Sequence, residues 1–445
     1  MSKRSLNCLF GCLAANSRYC RNYSYKAVRR PDTAVLSRKL TAPQVESKPD
    51  ELQAPNDLTK HLRAKILATG PITVAEYMRE VLTNPLSGYY MNRDVFGREG
   101  DFITSPEICQ IFGELVAVWV VSEWRKLGSP TPFQVVELGP GRGTLARDVL
   151  KVLTQFKLAG QFSMHMVEIS PYLSKVQAQR LCFSSEIVND ENSSHYLTGK
   201  TATGTKVFWH KRLEDVPNAF SIILAHEFFD ALPVHKLQRD EKYWKEVLID
   251  VNDSNGNDFD NKQQFRYVIS KSQTPVSHLF TSITGETRDC LEYSLDTDRI
   301  INIIANRFES DGGIALIMDY GHFGEKGDTF RAFKSHQLHE PLLAPGTADL
   351  TADVDFRQIK RVAEENGKVL CFGPVEQGCF LKNMEGEARL EKLLSNALPE
   401  NRDAIRSGYK MLTDPEQMGR RFKFFSIFPA VLKEHLKKFP ISGFY

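Results

Sequence analysis

Apolar residues along this chain follow two alternating periods. From Phe133 to Leu138 they run almost unbroken and are rich in β-branched side chains, the pattern of a buried strand; Leu145, Val149, Val152 and Phe156 then recur at helical spacing, predicting a helix over 144–158. The alternation repeats. An apolar strand at 162–170 precedes a helix around 171–182, "KVFWH" and "SIILAH" read as further strands, and a helix over 296–309 leads into "GGIALIMDYG". Strands near 368–375 and 378–383 are expected to close the series. Such repetition predicts a doubly wound α/β sheet, in which ligands bind at the carboxyl ends of the strands. Acids end several of these strands, namely Glu137, Glu168, Glu227 with Asp230, and Asp319, and should converge on one rim.

Two kinds of segment interrupt the pattern. Residues 58–130 read as an N-terminal helical region: Thr73 is placed to cap one amphipathic helix, and Pro106 opens another whose stripe from Ile108 to Trp119 is a core face. The turn ahead of that second helix, including Thr104 and Ser105, is positioned to line a pocket. Within the remaining 131–445, the alternating segments of 236–290, joined by "NDSNGNDFDN", predict a β-hairpin insertion, and 322–350 a second insertion.

The bulk numbers narrow the partners. A net charge of +2, with no dense basic stripe past the N-terminus, disfavours nucleic acid. The longest apolar run, Leu115 to Val121, is flanked by Glu114 and Glu123 and falls short of the ~18 residues of a membrane span. Eight cysteines without a C-x-x-C pair read as free thiols in a reducing compartment. The first thirty residues hold seven Lys or Arg and no acid, with Ser, Ala and Leu between them, the composition of a mitochondrial transit peptide; a disordered basic tail is the plainer alternative. The Pro-, Ser- and charge-rich 31–57 reads as a linker.

The candidate chemistry begins at "VVELGPGRGTLARDVL" (135–150), where Glu137, Gly139, Gly141 and Gly143 form E-x-G-x-G-x-G on a strand-to-helix turn. Glycine accepts positive φ and lets a ligand touch the backbone, and the helix start offers free N–H groups. A P-loop would need a Lys and Ser/Thr after its last glycine, which this turn lacks. A dinucleotide site would want G-x-G-x-x-G, whereas position 144 is Thr; NAD stays second. S-adenosyl-L-methionine carries an ammonium and a sulfonium and no phosphate, so an acid just before the glycines suits it. Glu168, ending the next strand, is placed to accept both hydroxyls of a ribose. A glycine-rich turn with incidental acids is the plainer alternative.

The apolar strand of "SIILAHEFFDALPVHKL" ends in a polar knot, "HEFFD", and His226, Glu227 and Asp230 are the candidate catalytic residues; Asp230 could instead cap a following helix. The three acids of "DLTADVDF" (349–356) lack the glycine and terminal Glu of a calcium loop and suit a capping or pocket-edge role. The histidines of "HFGEKGDTFRAFKSHQLHE" have irregular spacing and no Cys pair, which argues for a surface loop and against a zinc site.

Taken together, "GDFITSPE", "VELGPGRG", "AHEFFDALPV", "DYG", "GTADLTADVDF" and "MGRRFKFF" resemble the MidA family, and within it the mitochondrial protein arginine methyltransferases, from about position 58 onward. The family pattern often has Asn at the position of His226. The resemblance implies a class I methyltransferase fold over 131–445, residence in the mitochondrial matrix, and symmetric dimethylation of an arginine on a core matrix-arm subunit of respiratory complex I during its assembly. A small-molecule methyltransferase and a non-catalytic chaperone that binds the cofactor remain alternatives, since fold alone does not decide among them.

Overall fold

The computed structural model describes residues 56–92, 103–240, 243–252, 264–280 and 286–445. The transit-peptide segment 1–30 and the linker up to residue 55 lie outside the described residues.

Asn56 and Thr73 start the first two helices, α1 (Asp57–Thr69) and α2 (Val74–Thr83), each side chain accepting a backbone N–H of the first turn. The next long helix, α3 (Gln110–Lys126), is buried on every side from Ile111 to Trp124, as befits a helix whose apolar residues surround its axis.

Strand β1 (Phe133–Leu138) then enters the centre of the main sheet, and helix α4 (Thr144–Gln155) follows it. The helix stops one turn before the expected residue 158 because Lys157 takes a positive φ of 60°. Strand β2 (Phe162–Val167), helix α5 (Pro171–Leu181) and strand β3 (Lys206–His210) build outward on one side. The chain then returns to lay strand β4 (Ser221–His226) on the other side of β1, followed by helix α6 (Leu295–Asp311), strand β5 (Gly313–His322), helix α7 (Phe356–Glu364), strand β6 (Val369–Glu376) and strand β7 (Phe422–Pro429).

The spatial order is β3-β2-β1-β4-β5-β7-β6, with two short strands, Ser184–Ile187 and Leu197–Lys200, beyond β3. The strands from β3 to β5 are parallel, while β7 runs antiparallel to both β5 and β6. Alternate residues face opposite layers: Ile222, Leu224, Ile314 and Leu316 pack with α3 and α4, whereas Ile223, Ala225, Ala315 and Ile317 pack with α6 and α7. Both faces are therefore dry, which is why these strands read as unbroken apolar runs.

Two expectations need correction. Residues 378–383 form no strand but the helix Gln377–Asn383, and the strand that closes the sheet is β7. A side chain at Gly378 would meet the Thr413 carbonyl oxygen at 2.5 Å, so this helix packs directly on the chain's later helices. The hairpin expected within 236–290, His235–Asp240 with Tyr243–Val251, is the centre of a five-stranded antiparallel sheet that also takes in Phe265–Ile269, Cys290–Tyr293 and the N-terminal pair Ile72–Thr73. Residues 58–130 thus serve two cores: α1 and α2 pack against this smaller sheet, and α3 packs in the main one. The histidine-bearing segment carries two further strands, Arg331–Lys334 and Gln337–His339. Asp355 caps α7, in keeping with the capping role expected of the 349–356 acids.

Candidate active site

The strand order reverses between β1 and β4, and the turns leaving these two strands face each other across that switch point. In the turn after β1, Gly139, Gly141 and Gly143 hold φ values of 59°, 51° and 72°, a region that costs other residues ~1–2 kcal/mol. A Cβ on Gly139 would stand 2.7 Å from the Phe228 ring, so the glycine lets the first turn close against the second. Gly143 precedes α4, leaving the first N–H groups of that helix directed at the turn.

Glu168 follows β2 and is buried. Its Oε1 accepts the Ser170 N–H at 2.8 Å and its Oε2 accepts the Gln177 amide at 3.0 Å. Burial pushes this carboxyl up to about 7 despite both bonds. Gln177 also donates to the Gly141 carbonyl at 2.7 Å and accepts from the Trp209 indole at 2.8 Å. Glu137 points beneath the glycine turn, where the Ala146 backbone N–H reaches it; burial first and neighbouring Asp148 second push it up to about 8. Its Oε2 is buried with no hydrogen-bond partner, and a cation brought to that oxygen would draw the group back towards ionisation. An acid with spare lone pairs opposite a glycine cradle and a helix N-terminus fits S-adenosyl-L-methionine.

The turn after β4 carries the other predicted residues. Glu227 has φ 48°, a left-handed conformation that strains a non-glycine residue by ~1–3 kcal/mol. Its Oε1 accepts the Ser105 N–H at 3.3 Å and lies 3.1 Å from His226 Nε2, off the line of a hydrogen bond. The His226 ring packs edge-on against Phe112. Asp230 caps no helix: its Oδ2 accepts hydrogen bonds from the Tyr320 and Thr351 hydroxyls. Asp319, at the end of β5, takes the backbone N–H groups of Phe228, Phe229 and Asp230 on one oxygen and that of Tyr320 on the other, and so fixes the whole turn. Burial, reinforced by the neighbouring carboxylates, holds Asp319 well above the usual range and Asp230 up to about 6.

Three buried polar atoms around Glu227 make no hydrogen bond: Ser105 Oγ, His226 Nε2 and Asp230 Oδ1. Folded proteins satisfy nearly all such groups, so three of them from two segments around Glu227 leave unused hydrogen-bonding capacity there. Ser105 therefore lies on the acid side of the cleft, and Thr104, just before it, makes no side-chain cap bond. Arg142 of the glycine turn comes within 3.6 Å of Glu107, which joins the 104–108 segment to that turn. Gln177, Tyr320 and Thr351 were not singled out in sequence. Among the described residues, no cluster of His, Cys, Asp and Glu could hold a metal ion, and no helix is long and apolar enough to cross a membrane.

A family model described as "Putative S-adenosyl-L-methionine-dependent methyltransferase" matches residues 115–375. The chain is 65% identical over 426 residues to the Drosophila melanogaster protein named protein arginine methyltransferase NDUFAF7 homolog, mitochondrial, covering 95% of this chain and 97% of that one. It is 48% identical over 377 residues to the Homo sapiens protein named protein arginine methyltransferase NDUFAF7, mitochondrial, covering 84% and 83%. A crystal structure of a Burkholderia thailandensis protein bound to S-adenosyl-homocysteine shares the fold at a TM-score of 0.66 and 22% identity, covering 85% of this chain and 96% of that one.

Proposed function

The chain belongs to the family of S-adenosyl-L-methionine-dependent methyltransferases whose model it matches, and on that premise we propose that it is a mitochondrial matrix protein arginine methyltransferase, forming symmetric dimethylarginine on a core matrix-arm subunit of respiratory complex I during assembly. The names of its relatives support arginine as acceptor and the mitochondrion as compartment. The insertions at 236–290 and 322–350 favour a macromolecular substrate, since a small metabolite needs only a closed pocket. The observation that carries the reading is the acidic turn itself, with Glu227 in a strained conformation and unpartnered polar atoms around it, set against the glycine turn.

The cofactor supplies an electrophilic methyl group on a sulfonium. The protein must bring a guanidinium to it, and arginine stays protonated at any physiological pH. Two like charges at about 4 Å repel by ~4 kcal/mol at an effective dielectric near 20, so the site needs carboxylates to offset that term. Glu227 and Asp230 are the acids in place to accept the N–H pattern of a guanidinium, localising its charge and aiming one nitrogen. Gly139, Gly141, Gly143 and Glu168 hold the cofactor in this reading, with Glu137 beneath them and Thr104 and Ser105 at the cleft edge. His226, whose Nε2 lies beside Glu227 without bonding to it, is the third candidate catalytic residue.

The test is transfer of labelled methyl from S-adenosyl-L-methionine to matrix-arm subunits of complex I from cells lacking this protein, with the modified residues read by mass spectrometry. An arginine that gains two methyl groups, one on each terminal nitrogen, is the expected product. Label found only on a small molecule, or none with cofactor bound, rejects the proposal.

A further inference from the structure

Two acids that meet at the turn after β4, Asp230 within it and Asp319 at the end of β5, are treated differently by the fold. Asp319 uses both oxygens, one for three backbone N–H groups and one for the Tyr320 N–H, as a structural carboxylate does. Asp230 uses only one. Its Oδ2 takes the Tyr320 hydroxyl and, at 2.9 Å, the Thr351 hydroxyl, while Oδ1 is buried and bonded to nothing. Residues 90 and 121 positions further along the chain thus define how this carboxylate is turned.

The Tyr320 hydroxyl has little freedom to leave. The guanidinium carbons of Arg331 and Arg421 each stand 5.4 Å from its ring centre. Arg331 is held in turn by Asp353 at 2.6 Å, which also pairs with Lys326 at 2.8 Å. Burial first and the Asp230 carboxylate second hold the Tyr320 phenol well above its ordinary range, against the opposing charge of Arg331, so the hydroxyl keeps its proton and donates it to Asp230 Oδ2.

We propose that Tyr320, seconded by Thr351, is a positioning residue that pins Asp230 Oδ2 so that Oδ1 receives the proton released when the acceptor is methylated. This rests on the arginine methyltransferase reading above. In the step, a guanidinium nitrogen forms its bond to the methyl carbon, and the carbon–sulfur bond breaks with its electron pair going to sulfur. The nitrogen then loses one N–H proton to Asp230 Oδ1, and the guanidinium keeps its single positive charge.

The groups facing Asp230 are Glu227 from its own turn, Asp319 and Tyr320 from β5, Arg331 from the strand Arg331–Lys334, Thr351, and Tyr90 from the N-terminal region. Burial and Glu227 raise the carboxyl, whereas the two hydroxyl bonds and Arg331 lower it, leaving it at about 6. Removing the Tyr320 bond therefore moves the Asp230 titration upward.

Methyl transfer to the complex I matrix arm and the titration of Asp230 test the assignment together, the latter by carbon-13 NMR of protein labelled at aspartate, with Asp230→Asn identifying the signal. Tyr320→Phe is expected to shift both the acid limb of the rate profile and the carbon-13 titration upward by roughly one pH unit, and to lower kcat roughly ten- to a hundredfold at pH 7 with KM for the protein substrate little changed. Thr351→Val gives a smaller shift in the same direction, also readable should Tyr320→Phe fail to fold, and Thr351→Ser restores wild-type behaviour. An Asp230 titration identical in wild type and both hydroxyl-deletion variants overturns the positioning role. A shifted titration in an enzyme that methylates no arginine upholds the bond and overturns the substrate reading and the proton's destination.

Discussion

Gln177 gives its one amide group to two partners, donating at 3.0 Å to Glu168 Oε2 and at 2.7 Å to the carbonyl oxygen of Gly141. The acid proposed to read the ribose is thereby tied to the glycine turn proposed to approach the rest of the cofactor. Gln177→Ala removes both bonds and leaves a buried carboxylate short of a donor, a loss of ~1.5–3 kcal/mol for a hydrogen bond to a charged group. Calorimetric titration should show S-adenosyl-L-methionine affinity falling about tenfold or more, with Glu168→Ala at least as severe. Unchanged affinity in Gln177→Ala would falsify the coupling.

Gly139→Ala is expected to act on both sides of the cleft. The left-handed backbone alone costs ~1–2 kcal/mol, and the new Cβ would meet the Phe228 ring at 2.7 Å. The ring must move, and the acidic turn moves with it. Thermal unfolding should come ~2–6 °C lower, with cofactor affinity and methyl transfer both reduced. Gly160→Ala, also at positive φ but with nothing within 4 Å, is the control that carries the backbone strain without the contact.

Glu227→Gln keeps the shape of the acidic turn and removes its charge. Cofactor binding and melting temperature should stay near wild type while methyl transfer drops at least a hundredfold, about 3 kcal/mol of transition-state stabilisation. Transfer at the wild-type rate by the purified variant would mean that the acceptor is held elsewhere.

Stability should depend on pH in an unusual sense. Burial raises Glu137 to about 8, Glu168 to about 7 and Asp230 to about 6, all above the ordinary carboxylate values of an unfolded chain near 4. Between those limits the folded protein binds more protons than the unfolded one, so this contribution is fully present below pH 4 and is lost as pH rises through 6 to 8. In Glu137→Gln the decline in melting temperature between pH 6 and 9 should be shallower than in wild type. Parallel curves would show that Glu137 is already ionised at neutral pH.

What could be read from sequence was local. The glycine turn, the helix behind it and the acids ending β1, β2, β4 and β5 are each set by residues within one strand–turn–helix unit, where period and turn chemistry act directly. What escaped was partnership at a distance. Gln177 reaches Gly141 across 36 positions and Tyr320 reaches Asp230 across 90, and nothing in a helix or strand pattern marks either side chain as a bridge. The short apolar run at 378–383 suits a strand as well as a buried helix, and only packing on Thr413 and its neighbours decides it. In β7, six consecutive residues from Phe424 to Pro429 are buried, so the alternation that would have marked a strand is missing.

The position of β7 also has a biosynthetic consequence. This strand, laid down after residue 420, sits between β5 and β6, which were translated long before it, and its Lys423 pairs with Asp319 in the sheet register. A ribosome-bound chain that has not yet delivered β7 therefore holds two strands with exposed edges and an Asp319 without its sheet neighbour. Such an intermediate is open to misassembly with other chains until synthesis is nearly complete. The same order ties the acidic turn to the end of the chain: a product cut short before residue 422 lacks the strand that pairs with β5 at Asp319, the carboxylate that holds that turn.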